Sequence, residues 1–232
     1  MDGILNGVTR FRCDVFPDQA ELYRKLVSDG QHPQALVISC ADSRVVPELI
    51  TQCAPGDLFV CRNAGNIVPP YSQGGGGGVS STIEYAVVAL GVRDIVVCGH
   101  SDCGAMKAFL KPGSLDAMPT VGGWLRHACA ADAVVRGAYP ASLADADKVK
   151  ALAQENVAVQ LNHLRSHPSV AAGLARGTLR LHGWFFDLDT GSVLALDGET
   201  GRFRTMDDAA LPPVAVPFAD RRAGAPMLVA AE

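Results

Sequence analysis

The chain is punctuated by short apolar runs at residues 35–39, 58–61, 95–98 and 179–187, rich in branched side chains and with little polar alternation. Runs of this kind read as strands, and the third, Ile95-Val96-Val97-Cys98, suits the middle of a parallel sheet covered on both faces. Stretches with helical spacing separate them. Ile4, Leu5, Val8 and Phe11 share one helical face. After Pro17, Asp18 with Glu21 has the form of a capping box, and Leu22 and Leu26 extend that helix towards Gly30. The first helix has an apolar face with little of its own chain to pack on, so it is expected to lie against another subunit. A helix is expected near Pro47, a loop over 67–78 with Pro69-Pro70 and five successive glycines, and a buried apolar helix capped by Ser80, Ser81 or Thr82 and running to Gly91. Further helices are read over 121–135 and 143–165. The turn Asp189-Thr190-Gly191 then returns the chain as an antiparallel edge over 192–196.

Strands alternating with helices make this an α/β fold: a central, mostly parallel sheet of about four strands with an antiparallel edge strand, helices on both faces, and N-terminal helices packing on a partner subunit. A single domain is expected over 1–232, divided into a helical arm (1–30), a core (31–200) and an extension (201–232) whose residues beyond Thr205 carry no evident role. With 232 residues and 48% hydrophobic content the chain can bury a large core, and a net charge of -4 argues against a nucleic-acid partner. The N-terminus lacks the basic start and apolar centre of a signal peptide, and no apolar run reaches membrane-spanning length, so a cytoplasmic location is expected. Seven cysteines, at 13, 40, 53, 61, 98, 103 and 129, show no disulfide-like spacing. They read as reduced thiols, some of them open to a metal.

Chemistry gathers at two strand ends. The first strand runs into Cys40-Ala41-Asp42-Ser43-Arg44, which offers a soft ligand, a carboxylate able to act as base or hard ligand, and a guanidinium that can grip a carboxylate by two hydrogen bonds. The third runs into Gly99-His100-Ser101-Asp102-Cys103-Gly104. In a parallel sheet these C-terminal ends share one edge, so Cys40 can meet His100 and Cys103. Two thiolates and an imidazole suit Zn²⁺; three protein ligands leave a catalytic position open, whereas a fourth closes it. The polyglycine run formally matches a Gly-x-Gly-x-x-Gly pattern, but no strand immediately precedes it, and it reads as a loop.

These two stretches, together with Arg62-Asn63-Ala64-Gly65-Asn66 and Ile83-Glu84-Tyr85-Ala86, resemble the β-class carbonic anhydrases in order and spacing over residues 31–110, and more weakly at His182-Gly183-Trp184. The resemblance implies one zinc per subunit on Cys40, His100 and Cys103. It implies an Asp42–Arg44 dyad that orients a zinc-supplied hydroxide, and interconversion of carbon dioxide with bicarbonate and a proton. Gln31, Phe59, Ala64, Tyr85 and Gly104 match substrate-pocket positions, and a homodimer or tetramer with sites near the subunit interface is implied. Asp42 has a second implied role as a metal ligand that displaces the water and switches the site off. A regulatory bicarbonate site of some members uses an Arg, matched by Arg62, but also a Trp and a Tyr where this chain has Val37 and Phe186, so that site is expected to be absent. Two thiolates neutralise the charge of Zn²⁺, which predicts activity rising towards alkaline pH. Cys13, Cys53, Cys98 and Cys129 read as packing residues, Cys61 as lying near the site but matching no ligand position, and His32, His127, His163, His167 and His182 as surface or hydrogen-bonded groups. Other classes compatible with the same ligands are a non-catalytic zinc sensor or structural protein and a hydrolase of carbon disulfide.

Overall fold

A computed structural model describes residues 1–73 and 77–206; residues 74–76 of the glycine run and the extension from 207 lie outside the described residues. The strand order is β2-β1-β3-β4-β5-β6, with β1 at Ala35–Cys40, β2 at Leu58–Asn63, β3 at Asp94–His100, β4 at Arg180–Phe186, β5 at Val193–Leu196 and β6 at Phe203–Thr205. The first four are mutually parallel, and β5 and β6 are antiparallel. The four apolar runs thus occupy adjacent positions in one sheet. Strand β6 is an addition to the expected architecture. Asp197 Oδ1 accepts from the backbone N–H groups of Glu199 and Thr200, an Asx turn that folds three residues back on β5.

Leu36, Ile38, Ile95 and Val97 face the main core, where helix α8 (Asp145–Arg165) lies across β3 and β4. The approach is close because two strand residues lack side chains. A Cβ on Gly99 would stand 2.7 Å from Val157 Cγ2, and one on Gly183 would stand 3.0 Å from Leu161 Cδ1 and Val157 Cγ1. Helix α7 (Cys129–Ala138) packs on α8. The opposite sheet face carries a smaller cluster of Val37, Val96 and Cys98, flanked by half-buried Leu58, Trp184 and Phe186. No helix among the described residues is long and apolar enough to cross a membrane.

The N-terminal segment is helical at Asp2–Arg10 (α1) and Phe16–Ser28 (α2), joined by a π-helical turn over Phe11–Val15. The expected capping box does not form. Pro17 sits within the first turn of α2 after Val15, which places Asp18 inside the helix rather than at its cap. No residue of α1 or α2 is buried, and Ile4, Leu5, Val8 and Phe11 are exposed on the arm.

Other local readings change for identifiable reasons. Helix α3 spans Pro47–Thr51 as expected. Helix α4 (Gly77–Glu84) starts within the glycine run, and Ser81 and Thr82 donate back to the carbonyls of Gly77 and Gly78 instead of capping it. It continues as a π-helical turn, Tyr85–Ala89; Ile83 and Ala86 are buried, but Tyr85 and Val88 are 52% and 70% exposed, so only one face enters the core. The single helix read over 121–135 is divided into α6 (Pro119–Leu125), a 3-10 turn (Arg126–Ala128) and α7. Trp124 Nε1 donates to Ala64 O and Gln160 Nε2 to His127 O, anchoring the break to other elements. Two short helices escaped the pattern: α5 (Gly104–Leu110) and α9 (Pro168–Ala175).

Candidate metal centre and active site

Cys40 is the last residue of β1 and His100 the last of β3, so both side chains reach the same sheet edge, and Cys103 stands at the N-cap of α5. Ligand atoms of the three lie within 4.8 Å of one another, and the residues are 5%, 0% and 1% exposed. The His100 tautomer is set by its neighbour. Its Nδ1–H donates to Ser101 O at 2.8 Å, which leaves the lone pair on Nε2, and that atom is buried with no protein partner. Cys103 donates to Cys40, holding the Cys40 thiol well below its ordinary range, while the resulting thiolate pushes Cys103 up. A bound cation would hold both sulphurs deprotonated. A buried imidazole lone pair beside two sulphurs is a donor set that fits a tetrahedral Zn²⁺ with one further position.

Asp42 flanks this cluster. Arg44 grips it with Nε to Oδ1 and Nη2 to Oδ2, each at 2.9 Å, and the Arg44 backbone N–H adds a bond to Oδ1 at 3.0 Å. The guanidinium holds the Asp42 carboxyl far below the usual carboxylate range, so it is an acceptor throughout the neutral region. Asp42 Oδ2 is 4.0 Å from His100 Nε2. Arg44 Nη1 in turn donates to Asp102 Oδ2 at 3.0 Å, and Lys107 pairs with the same carboxylate. Asp102 adopts a left-handed backbone (φ 57°), a conformation that Asp tolerates better than most residues. Its place between His100 and Cys103 allows two readings from the sequence, orienting its neighbours or facing solvent, and its bonds to Arg44 and Lys107 favour the first.

Arg62 acts on the same loop. Its Nε donates to Cys40 O at 3.2 Å and its Nη2 to Asp42 O at 2.7 Å, so it clamps the backbone that carries ligand and carboxylate. The proposed partners of a regulatory anion offer no polar groups here, because Val37 and Phe186 belong to one apolar cluster.

The pocket positions divide into two groups. Gly104 adjoins Cys103, and Ala64 follows Asn63, the register partner of Cys40. Phe59 and Tyr85 contact each other at a ring separation of 5.9 Å, but elsewhere. Phe59 pairs with Leu36 whereas Asn63 pairs with Cys40, so Phe59 lies four register steps, about 13 Å, back along the strands from the ligands. Gln31 precedes β1 altogether, on the approach to that same end.

The other titratable groups take structural parts. Burial pushes the Cys98 thiol up to about 12 and raises Cys61. His163 Nδ1 and His167 Nε2 donate to Val68 O and Pro69 O, and His182 Nε2 lies 2.7 Å from Asp94 Oδ1.

Comparison with known proteins gives a consistent result. The carbonic anhydrase family profile matches residues 35–193. A carbonic anhydrase of Pseudomonas aeruginosa is 52% identical over 203 residues, covering 88% of this chain and 90% of that protein. Carbonic anhydrase 1 of Escherichia coli O157:H7 is 49% identical over 203 residues, covering 88% and 91%. Among solved structures, the β-carbonic anhydrase CcaA superposes with a TM-score of 0.87 at 42% identity, covering 95% of this chain and 97% of that one. A tetrameric β-carbonic anhydrase of Sordaria macrospora gives 0.75 at 31% identity, with 84% and 95% covered.

Proposed function

Because this chain belongs to the β-class carbonic anhydrases, we propose that it hydrates carbon dioxide reversibly at a zinc ion held by Cys40, His100 and Cys103, with Asp42 and Arg44 as the orienting dyad. The observation that carries the reading is the buried Cys-His-Cys cluster, in which the His100 Nε2 lone pair faces two sulphurs and no protein donor. When bound there, zinc supplies a Lewis acid that acidifies water, less strongly with two thiolates than with imidazoles alone, so turnover is expected to rise towards alkaline pH. The chain's own residues do the rest. Asp42, ionised and gripped along both oxygens, accepts one hydrogen bond from the attacking oxygen and thereby directs that oxygen's free lone pair at the carbon of the substrate. Arg44 keeps Asp42 away from the ligand position. Arg62 fixes the carbonyls of Cys40 and Asp42, which holds the carboxylate and the ligand at a constant offset. The sensor alternative gives the Asp42–Arg44 pair nothing to do, and the family assignment argues against it.

The pocket is proposed to be completed between subunits. Gln31, Phe59 and Tyr85 stand too far along the sheet to reach the metal ligands of their own chain, and the exposed apolar faces of α1 and of the Tyr85–Ala89 turn favour a homo-oligomer, dimer or tetramer, in which they approach a partner's site. The tetrameric Sordaria macrospora enzyme supports that expectation. Residues 1–30 would then be the exchanged arm of a single domain whose sheet extends through β6. All seven cysteines are free, which favours a reducing, cytoplasmic setting.

The test is stopped-flow carbon dioxide hydration on protein of measured zinc content, with carbon disulfide hydrolysis assayed on the same sample. Hydration that scales with bound zinc is expected. Full zinc occupancy without hydration, or with carbon disulfide turnover alone, would overturn the assignment.

A further inference from the structure

Arg44 is held on two edges. One edge, Nε and Nη2, lies on the two oxygens of Asp42. The other reaches a second carboxylate: Nη1 donates to Asp102 Oδ2 at 3.0 Å, and Nη2 also donates to the Asp102 carbonyl oxygen at 3.4 Å. The remaining oxygen of Asp102, Oδ1, pairs with Lys107 Nζ on α5. Arg44 therefore ties the loop after β1 to the loop after β3, the first following Cys40 and the second joining His100 to Cys103. Asp102 meets it from a left-handed backbone, φ 57°, between those two residues.

An isolated exposed ion pair contributes little, and the Arg44 and Asp102 side chains are each about half exposed. This pair is not isolated. Asp42, Arg44, Asp102 and Lys107 form charges in series, and each oxygen of the two carboxylates has a cationic partner. What the series fixes is direction. Asp42 Oδ2 stands 4.0 Å from His100 Nε2, so the orientation of that carboxylate decides whether it serves as an acceptor beside the fourth metal position or takes the position itself. An Arg44 anchored on Asp42 alone follows that carboxylate when it turns, whereas one anchored on Asp102 as well does not. On the reading of Cys40, His100 and Cys103 as metal ligands, on which this rests, we propose that Asp102 is a positioning residue: it holds the far edge of the Arg44 guanidinium so that the near edge keeps Asp42 off the fourth position.

The test uses cobalt(II) in place of zinc in the full-length protein and titrates azide, an anion that takes an open fourth position and shifts the visible cobalt bands. Asp102→Gly removes the carboxylate and suits the left-handed backbone. Loss of a negative charge beside the site would by itself draw azide in more tightly. The expected result has the opposite sign: with Asp42 free to occupy the position in about nine molecules of ten, azide affinity falls about 10-fold. Combined with Asp42→Asn, whose amide is a poor metal ligand, Asp102→Gly should no longer weaken azide binding relative to Asp42→Asn alone. Azide affinity unchanged or raised in Asp102→Gly, or the same loss in the Asp42→Asn background, overturns the proposal. So does a wild-type cobalt protein that takes up azide only once Asp42 is replaced. Where Asp102→Gly does not fold, Asp102→Asn, which tolerates the same backbone but cannot offer carboxylate oxygens to both Arg44 and Lys107, is read by the same criteria. A wild-type protein that binds no cobalt overturns the metal assignment itself, which is a different failure.

Discussion

Gly99→Ala tests whether the contact between α8 and β3 sets the geometry behind His100. The added Cβ would lie 2.7 Å from Val157 Cγ2 and 3.2 Å from the carbonyl oxygen of Ala153. Apolar carbons prefer a separation of about 3.5–4.0 Å, so helix and strand must part by several tenths of an ångström or more. Overpacking of this kind costs about 1–3 kcal/mol. Alanine also restricts the unfolded chain, which offsets about 0.4–1 kcal/mol. The net loss is therefore roughly 1–2 kcal/mol, or a fall in Tm of about 2–8 °C for a chain of this size. Because Gly99 precedes His100 on β3, the same displacement should reduce zinc retention against a chelator. Urea melts of the single variants and of Gly99→Ala combined with Val157→Ala complete the cycle. Shortening Val157 removes the closer of the two contacts and leaves the Ala153 carbonyl, so partial rescue is expected, with a coupling energy of about 1 kcal/mol. Wild-type stability in Gly99→Ala, or strict additivity in the double variant, would refute the packing account.

Three further outcomes are expected. Cys103→Ala should lose zinc, measured by elemental analysis after dialysis, because a histidine and one thiolate make a poor tetrahedral site. Asp42→Asn should keep zinc but lower kcat by about 100-fold in stopped-flow assays, since the amide weakens both the Arg44 grip and the acceptor; an unchanged kcat would remove Asp42 from the mechanism. The third concerns acid stability. Burial raises the Asp94 pKa, but the bonds from Arg180 and His182 outweigh it and leave the group below its ordinary value. A depressed folded-state pKa stabilises the protein above the unfolded value of about 3.9, and that stability is lost as pH falls through the folded value. Urea midpoints measured between pH 7 and pH 3 should thus fall more steeply for wild type than for Asp94→Asn, and parallel curves would contradict the assignment.

The Cys40, His100 and Cys103 cluster was legible in the sequence because the residues' type and place agree. Cys40 and His100 follow runs that have no stable alternative to a buried strand, and parallel strands end at one edge. Cys103 needed only the short turn into α5. Helix starts were harder to read, since the same hydroxyl can cap a helix or bond back within it: Ser81 and Thr82 do the second, because Val79, Ile83 and Ala86 draw the preceding glycines into the helix. The break at Arg126–Ala128 depends on bonds from Trp124 to Ala64 and from Gln160 to His127, partners distant in sequence that no local pattern contains. Asn156 and Gln160 were invisible for the related reason that a helical position reads as core or surface by its own polarity. Their burial is explained by a loop some ninety residues away.

The assembly reading follows from what one chain does not bring together. Ala64 and Gly104 adjoin the metal ligands, whereas Phe59 and Tyr85 pair at the other end of β2 and Gln31 enters from beyond it. Tyr85 and Val88 leave an apolar strip exposed there, and the arm leaves Ile4, Leu5 and Val8 exposed as well. An isolated chain gains nothing from keeping these side chains in water, and the sheet's own cores are complete without them. Covering the strip would bring this chain's aromatic pair and amide to the partner's Cys-His-Cys cluster, which already has a carboxylate and a guanidinium beside it. On that reading the residues that bind zinc and orient the nucleophile belong to one subunit, while part of the wall that confines carbon dioxide belongs to the next. Catalytic competence and association then depend on the same exposed surface.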